Sequence, residues 1–361
     1  MRAVVTPGHG GLEVLEYHDD WPDPAPAAGE VLVRVGACGL NNTDVNTRTG
    51  WYSKGIETGT GAGGADGFAA TRGGDAAWGG APVVFPRIQG ADVCGVVVGG
   101  DAGELLGRRV LIDPWLRDPA APDDLARATY VGSERDGGYA EYVVVPDANA
   151  HPIDSPLSDA ELATFPTSYV TAANMVRRAD LRAGETVLIT GASGGVGTAL
   201  IQVARERGAI PFAIAGAAKT DEVRACGAEQ VIGRETPDLA TALAEAGAPE
   251  VDVVADVVGG ARFPELLALL RRGGRYTCAG AIAGPIVPLD LRTMYLHDLS
   301  LLGATVPPVH AFGELVGLIE RGRLRPLLAA TFPLERFREA QEAFIAKRHV
   351  GNIVIDLGGA A

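Results

Sequence analysis

Over the first 150 residues the apolar positions come in short runs, RAVVT, EVLVRVGA, DVCGVVVGG, RRVLID and YAEYVVVP, separated by glycine and proline. Runs of this length, rich in β-branched residues and bounded by turn formers, predict an antiparallel, barrel-like β domain. From about residue 185 the pattern changes. TVLITG, IPFAIAG, VDVVADVVGG and GRYTCAGA alternate with helical stretches such as FPELLALLRR. Apolar strands alternating with amphipathic helices predict a parallel sheet wound on both faces. After about residue 305 two helical segments, AFGELVGLIERG and LERFREAQEAFIA, precede a last strand, NIVIDL. That tail is too short to fold alone, so it is expected to return to the first domain. A chain of 361 residues exceeds the size at which one core stops growing, and the expected division is 1–150 completed by 305–361, with 151–304 as the second domain.

One segment breaks the pattern. Residues 55–80 hold ten glycines in 26 positions, too much backbone freedom for a regular element and too little apolar content for a core one. Such a stretch is either a lid or a passive linker.

Composition narrows the function. The chain is 47% hydrophobic and 21% charged, ordinary for a globular protein. No apolar run approaches the length of a membrane span, and nothing resembles a secretory leader, so a cytoplasmic protein with no membrane partner is expected. The net charge of -14 repels a phosphate backbone and argues against nucleic acid as a partner. Cys38, Cys94, Cys226 and Cys278 lie far apart without a CxxC pair, which suggests neither a disulfide framework nor a four-cysteine zinc site.

The strongest chemical signal is VLITGASGGVGTALIQVARERG, residues 187–208. A strand runs into Gly191-Ala192-Ser193-Gly194-Gly195-Val196-Gly197 and a helix follows. Glycine there lets a pyrophosphate approach the backbone, and the helix N-terminus supplies unpaired N–H groups, so the turn predicts a dinucleotide site. The next strand selects the dinucleotide. An acidic residue about 20 positions on would take ribose hydroxyls, but IPFAIAGAAKTDEV ends its strand at Gly216 and offers Lys219. A cation there favours a 2'-phosphate, with Arg234 as a second contact, so NADP(H) is the expected cofactor.

With ITGASGGVG, the stretches GLNNTD, RTGWY, QGADVCGVVV, DGGYAEYVVVP and FPTSYVTAANMV resemble the medium-chain dehydrogenase/reductase family, closest to its zinc-free quinone oxidoreductase branch. The resemblance implies a GroES-like β-barrel catalytic domain joined to a Rossmann doubly wound parallel-sheet domain, and a homodimer formed through the edge strand in LSLLGATVP. Zinc-dependent members carry ligands at positions that here hold Asn41, Ala91 followed by Asp92, and Thr167. These cannot supply the three donors of a catalytic zinc, so no metal site is expected.

Without a Lewis acid, reduction of an acceptor needs hydrogen bonds to the developing oxyanion. The resemblance assigns that role to Tyr52, with Asn41, Asp44 and Thr171 in the same site. It also implies that Asn174 faces the nicotinamide, that Gly280 and Ala281 hold the carboxamide, and that Arg348 with Lys347 adds cationic contacts. His297 and His310 read as structural. Trp51, Trp78 and Trp115 are candidates for the walls of a flat substrate pocket. The expected activity is NADPH-dependent, zinc-independent hydride transfer to a small-molecule quinone, enone or enoyl acceptor. A zinc-dependent alcohol dehydrogenase and a catalytically silent NADPH-binding protein are the alternatives.

Overall fold

The computed structural model describes residues 1–69, 71, 74, 77 and 82–358. Two large sheets organise them. The first has seven strands ordered Ala150–Pro152, Arg109–Ile112, Asp92–Gly100, Glu30–Gly39, Asn352–Asp356 and Leu328–Pro333, with Tyr142–Pro146 also paired to Glu30–Gly39. The ten-residue strand Glu30–Gly39 is the hub, because its antiparallel partners are Asp92–Gly100, Tyr142–Pro146 and Asn352–Asp356. The C-terminal segment joins this sheet. It contributes two strands, and Leu328–Pro333, which the apolar pattern misses, pairs in parallel with Asn352–Asp356.

The second sheet has six strands ordered Gln230–Gly233, Ile210–Ala215, Thr186–Ile189, Val251–Asp256, Leu270–Cys278 and Ser300–Gly303. Every pair is parallel. The order reverses at Thr186–Ile189, and such a switch point leaves a crevice at the carboxyl ends of the strands. The GroES-like and Rossmann architecture is therefore the one present.

A helix, Pro166–Arg178, joins the two halves. Proline at its first position suits a helix start, and the main-chain N–H of Thr167 donates to Asp92 Oδ1 at 2.7 Å. Its buried face, including Tyr169, Val170 and Met175, packs with the helix Gly195–Glu206 and with Phe312 in one core that also takes in Ala37, Ala91 and Cys94 from the first domain. That shared core fixes the crevice between the halves.

The described part of the glycine-rich segment is pinned at three points. Trp51 Nε1 donates to the Thr58 carbonyl at 2.9 Å, Thr60 N donates to the Ile282 carbonyl at 3.1 Å, and Leu12 N donates to the Ala65 carbonyl at 2.7 Å. It thus reaches from the first sheet's half to the loop at Ile282 beside the parallel sheet.

Candidate active site

The crevice is a cleft of about 680 Å³. One wall is the glycine turn. Gly191 takes a left-handed φ of 57°, a conformation glycine adopts without strain. A Cβ on Gly197 would fall 2.6 Å from Ala192 Cα, and one on Gly195 would fall 2.5 Å from Ser168 Oγ. Both positions are closed to side chains, and the helix Gly195–Glu206 therefore starts hard against the strand. At Gly194 the only neighbour within 4 Å of a Cβ among the described residues is the Gly191 carbonyl at 3.5 Å. The space above the turn is open, which is the cradle a pyrophosphate needs.

The opposite lip comes from the C-terminal return. Gly351 N donates to the Ser193 carbonyl at 3.0 Å, and Lys219 Nζ donates to the carbonyls of Lys347 and His349 at 2.7 and 2.8 Å. Burial, then the nearby Arg234 charge, lowers the Lys219 pKa. Lys347 Nζ lies 3.5 Å from the Phe344 ring centre and donates to Asn42 Oδ1 at 2.9 Å.

A third wall is held by Asp256, which is fully buried. Its carboxylate accepts from Thr190 Oγ1 and Tyr276 OH, each at 2.5 Å, and from Val258 N at 2.8 Å and Gly259 N. So many donors on one buried carboxylate lock the loop Val257–Gly259, which lines the cleft.

At the far end stand the residues that resemble zinc-ligand positions. They bond to one another. Asn41 Nδ2 donates to Asp92 Oδ2 at 2.9 Å, Thr167 N donates to Asp92 Oδ1 at 2.7 Å, and the hydroxyls of Thr167 and Tyr130 are 2.7 Å apart. Burial raises the Asp92 carboxyl to about 6. Among the described residues no group of three His, Cys, Asp or Glu side chains could hold a metal ion.

Most of the predicted residues meet in this cleft. Asn41, Tyr52, Thr171, Ser193, Gly194, Gly195, Val196, Gly197, Lys219, Arg234, Gly280 and Ala281 line it, together with Trp51 and Trp115. Tyr52 OH donates to Thr43 Oγ1 at 3.3 Å, and burial raises its pKa, which keeps the phenol protonated. Trp78 lies outside the described residues.

Four predicted residues do not reach the cleft. Asp44 is buried behind it, where Oδ2 accepts from Asn41 N at 2.7 Å and from Tyr139 OH at 2.8 Å. Third in the helix Asn42–Thr49, it faces back to brace the helix start. Burial raises it to about 7. Arg348 is exposed, because the turn aims its neighbours Lys347 and His349 into the cleft instead. Ala192 is fully buried beneath the turn and acts through packing. Asn174 is also buried off the cleft, against Arg177.

Tyr130 lines the cleft unannounced. It pairs through Trp115–Leu116 and Thr129–Tyr130, a two-stranded ribbon, and its ring meets Trp115 edge-on at 4.7 Å between centres.

The alcohol dehydrogenase GroES-like domain family matches residues 27–155, and the zinc-binding dehydrogenase family matches residues 226–355. A putative alcohol dehydrogenase from Sinorhizobium meliloti 1021 is similar in structure, with a TM-score of 0.88 and 48% identity over 99% of this chain and 96% of that one. The quinone oxidoreductase of Thermus thermophilus, whose structure is also known in complex with NADPH, has a TM-score of 0.72 and 31% identity over 99% and 100% of the two chains. Human quinone oxidoreductase is 28% identical over 357 residues, which are 96% of this chain and 94% of that protein. The chain belongs to the medium-chain dehydrogenase/reductase superfamily, among its quinone oxidoreductase-like members, and is an oxidoreductase.

Proposed function

We propose that the protein is an NADPH-dependent, zinc-independent reductase of electron-poor quinones, enones or enoyl compounds. The carrying observation is the mutual bonding of Asn41, Asp92 and Thr167. The only carboxylate of that set is already occupied on both oxygens by N–H donors. An amide, a carboxylate so engaged and a hydroxyl make a poor donor set for zinc, which takes thiolate, imidazole or free carboxylate. They make a good floor for an oxyanion.

The fit of a dinucleotide rests on the open cradle above Gly194 and on the two cations, Lys219 and Arg234, that line the cleft beside the end of Ile210–Ala215. Bound there, it supplies a hydride. Ser193 and the main chain of Gly194 to Gly197 would hold its pyrophosphate, Lys219 and Arg234 its 2'-phosphate, and Gly280 with Ala281 its carboxamide. Residues 1–150 with 305–361 then serve the acceptor, and 151–304 serve the dinucleotide. The Tyr52 hydroxyl, at the cleft wall with Asn41, donates to the oxygen on which charge develops, and Thr171 contacts the nicotinamide end.

Loss of nicotinamide absorbance with a panel of quinones and enones tests the reading. Turnover is expected to survive prolonged chelation unchanged. Activity that needs stoichiometric zinc would favour the alcohol dehydrogenase alternative, and saturable NADPH binding with no turnover would favour a silent binding protein. Tyr52→Phe is expected to lower kcat about 10-fold, the scale of one lost proton-donating contact, with the dissociation constant of NADPH within twofold of wild type by fluorescence titration. An unchanged kcat would remove Tyr52 from the reaction.

The same proposal includes a homodimer. Ser300–Gly303 is one of the two edge strands of the parallel sheet, and Ile286, Leu291, Tyr295 and Leu296 beside it in sequence are 53–70% exposed. An open edge next to exposed apolar side chains favours pairing with a second copy. Light scattering on the eluting protein is expected to give twice the chain mass.

A further inference from the structure

Resting on the reductase reading above, we propose that Trp115 and Tyr130 form an aromatic slot that selects a flat, uncharged acceptor, an aryl-fused quinone or an aryl enone. The rings themselves are the first observation. Trp115 and Tyr130 are direct cross-strand partners in the ribbon of Trp115–Leu116 with Thr129–Tyr130. Their rings meet edge-on at 4.7 Å between centres. Both line the cleft, yet they are only 6% and 5% exposed, so each shows it a narrow strip of ring. A second edge-on pair, Trp51 with Tyr52 at 5.7 Å, lines the same cleft. Tyr52 is close enough to Tyr130 to contribute to raising its pKa, so the two pairs share one end.

The ribbon is fastened on both strands. Trp115 N donates to Asp113 Oδ1 at 3.0 Å, Asn149 Nδ2 donates to the Trp115 carbonyl at 3.0 Å, and Tyr130 N donates to Glu134 Oε2 at 3.0 Å. The Tyr130 hydroxyl lies 2.7 Å from that of Thr167, and Arg117 Nη2 ties the ribbon to the Pro307 carbonyl at 2.6 Å. Rings held in this way do not turn aside for a puckered substituent, and they offer a flat π system the stacked or edge contacts it prefers.

The placement of charge is the second observation. Among the described residues the charged side chains that line the cleft are Lys219, Arg234, Arg262 and Lys347. Lys219 and Lys347 belong to the lip made by the C-terminal return. Arg234 follows the edge strand Gln230–Gly233, and Arg262 donates to the carbonyl of Thr236 just beyond it. The polar groups beside the ribbon, Asn41, Tyr52 and Thr167, are neutral. An acceptor that carried a carboxylate, sulfonate or phosphate into that end would leave a charge desolvated without a partner, which is costly. A neutral acceptor is oriented there by the amide and hydroxyls and held by aromatic contact.

The test uses the full chain with NADPH and two quinones of one carbon skeleton, 1,4-naphthoquinone and its 5,6,7,8-tetrahydro analogue, whose second ring is puckered. The ratio of their kcat/KM values is compared between wild type and variants, so the intrinsic reactivity of the quinones cancels. Trp115→Leu and Tyr130→Leu are each expected to lower that ratio about 3- to 10-fold, the scale of one aromatic contact beyond buried area, with the loss in KM. Tyr130→Phe keeps the ring and is expected to hold the ratio within twofold. The 2-sulfonate of naphthoquinone is expected to have a KM at least about 10-fold above its parent. Where the leucine variants fail to fold, the wild type is titrated with 1-naphthol and 5,6,7,8-tetrahydro-1-naphthol by tryptophan fluorescence, and the flat compound is expected to bind about 3- to 10-fold more tightly. A ratio unchanged in both leucine variants, a Tyr130→Phe ratio as low as that of Tyr130→Leu, a sulfonate with the KM of its parent, or equal naphthol affinities would overturn the slot and leave the reductase reading standing. A wild type that reduces neither quinone would overturn the reductase reading, and the naphthol pair would still decide the slot.

Discussion

Lys219→Ala is expected to raise KM for NADPH by about 10- to 100-fold and to change KM for NADH by less than about threefold. The ammonium sits just past the strand Ile210–Ala215, which ends at Gly216 without a carboxylate to take ribose hydroxyls. Its hydrogen-bond partners are two main-chain carbonyls and, at 3.5 Å, the Ser193 hydroxyl, none of which carries charge. Arg234 lines the same cleft and helps to lower the Lys219 pKa. Arg234 also pairs with the exposed Glu235 at 2.8 Å, an exposed contact of little energetic weight. Two cations that repel one another across a cleft are stabilised together by a dianion placed between them. A charge-assisted contact of this kind contributes about 1.5 to 3 kcal/mol, which is the stated change in KM. Asp221 and Glu222, the acids next in sequence, are exposed, and the Glu222 charge acts on Lys219 more weakly than burial and Arg234 do. Steady-state kinetics with both dinucleotides checks the prediction. Because Lys219 also ties the turn at Lys347 and His349, equal losses for NADPH and NADH would mean that it holds the turn and does not read the phosphate.

The parallel sheet was legible because its central strands, Thr186–Ile189, Ile210–Ala215 and Val251–Asp256, are buried along nearly their whole length and so are written as apolar runs. Leu328–Pro333 was not, since its side chains alternate between half-buried and exposed and it ends in proline. Only parallel pairing with Asn352–Asp356 makes it a strand. The glycine turn was legible for a similar local reason, strand, glycines and helix being contiguous. The far end of the cleft was not, because it is assembled from distant positions: Asn41 meets Asp92 across 51 residues, and Asp92 meets Thr167 across 75. Tyr130 enters through a two-residue pairing that leaves no periodic trace. For Asp44 a signal was present. Its spacing of three from Asn41 at a helix start is that of a capping box, which turns the carboxylate back toward the main chain and out of the cleft.

Arg48→Met is expected to destabilise the protein by about 3 kcal/mol and to free the first half of the glycine-rich segment. Arg48 is fully buried without an acidic partner within ion-pair distance among the described residues. Its guanidinium donates to Gln341 Oε1 at 3.1 Å, to the Gly10 carbonyl at 2.9 Å and to the Gly64 carbonyl at 2.7 Å. One planar fork thereby joins the N-terminal loop, the helix Phe337–Ile345 and the glycine-rich segment. Burial lowers its pKa to about 10, which still leaves it charged near neutrality. Methionine fills much of the volume, so the cavity contribution is small. What remains is two buried acceptors, Gln341 Oε1 and the Gly64 carbonyl, and the half-buried Gly10 carbonyl without donors, each buried one costing about 1 to 3 kcal/mol, partly offset by relief from burying a charge. The segment reaches Ile282 through Thr60 N, and Ile282 lines the cleft. Losing the Arg48 anchor therefore loosens one cleft wall as well as the fold. Denaturant unfolding measures the first effect. Amide exchange at residues 59–67 measures the second, with protection expected to fall well beyond the global loss. Protection falling only in step with global stability would show that the contact with Ile282, rather than Arg48, holds the segment down.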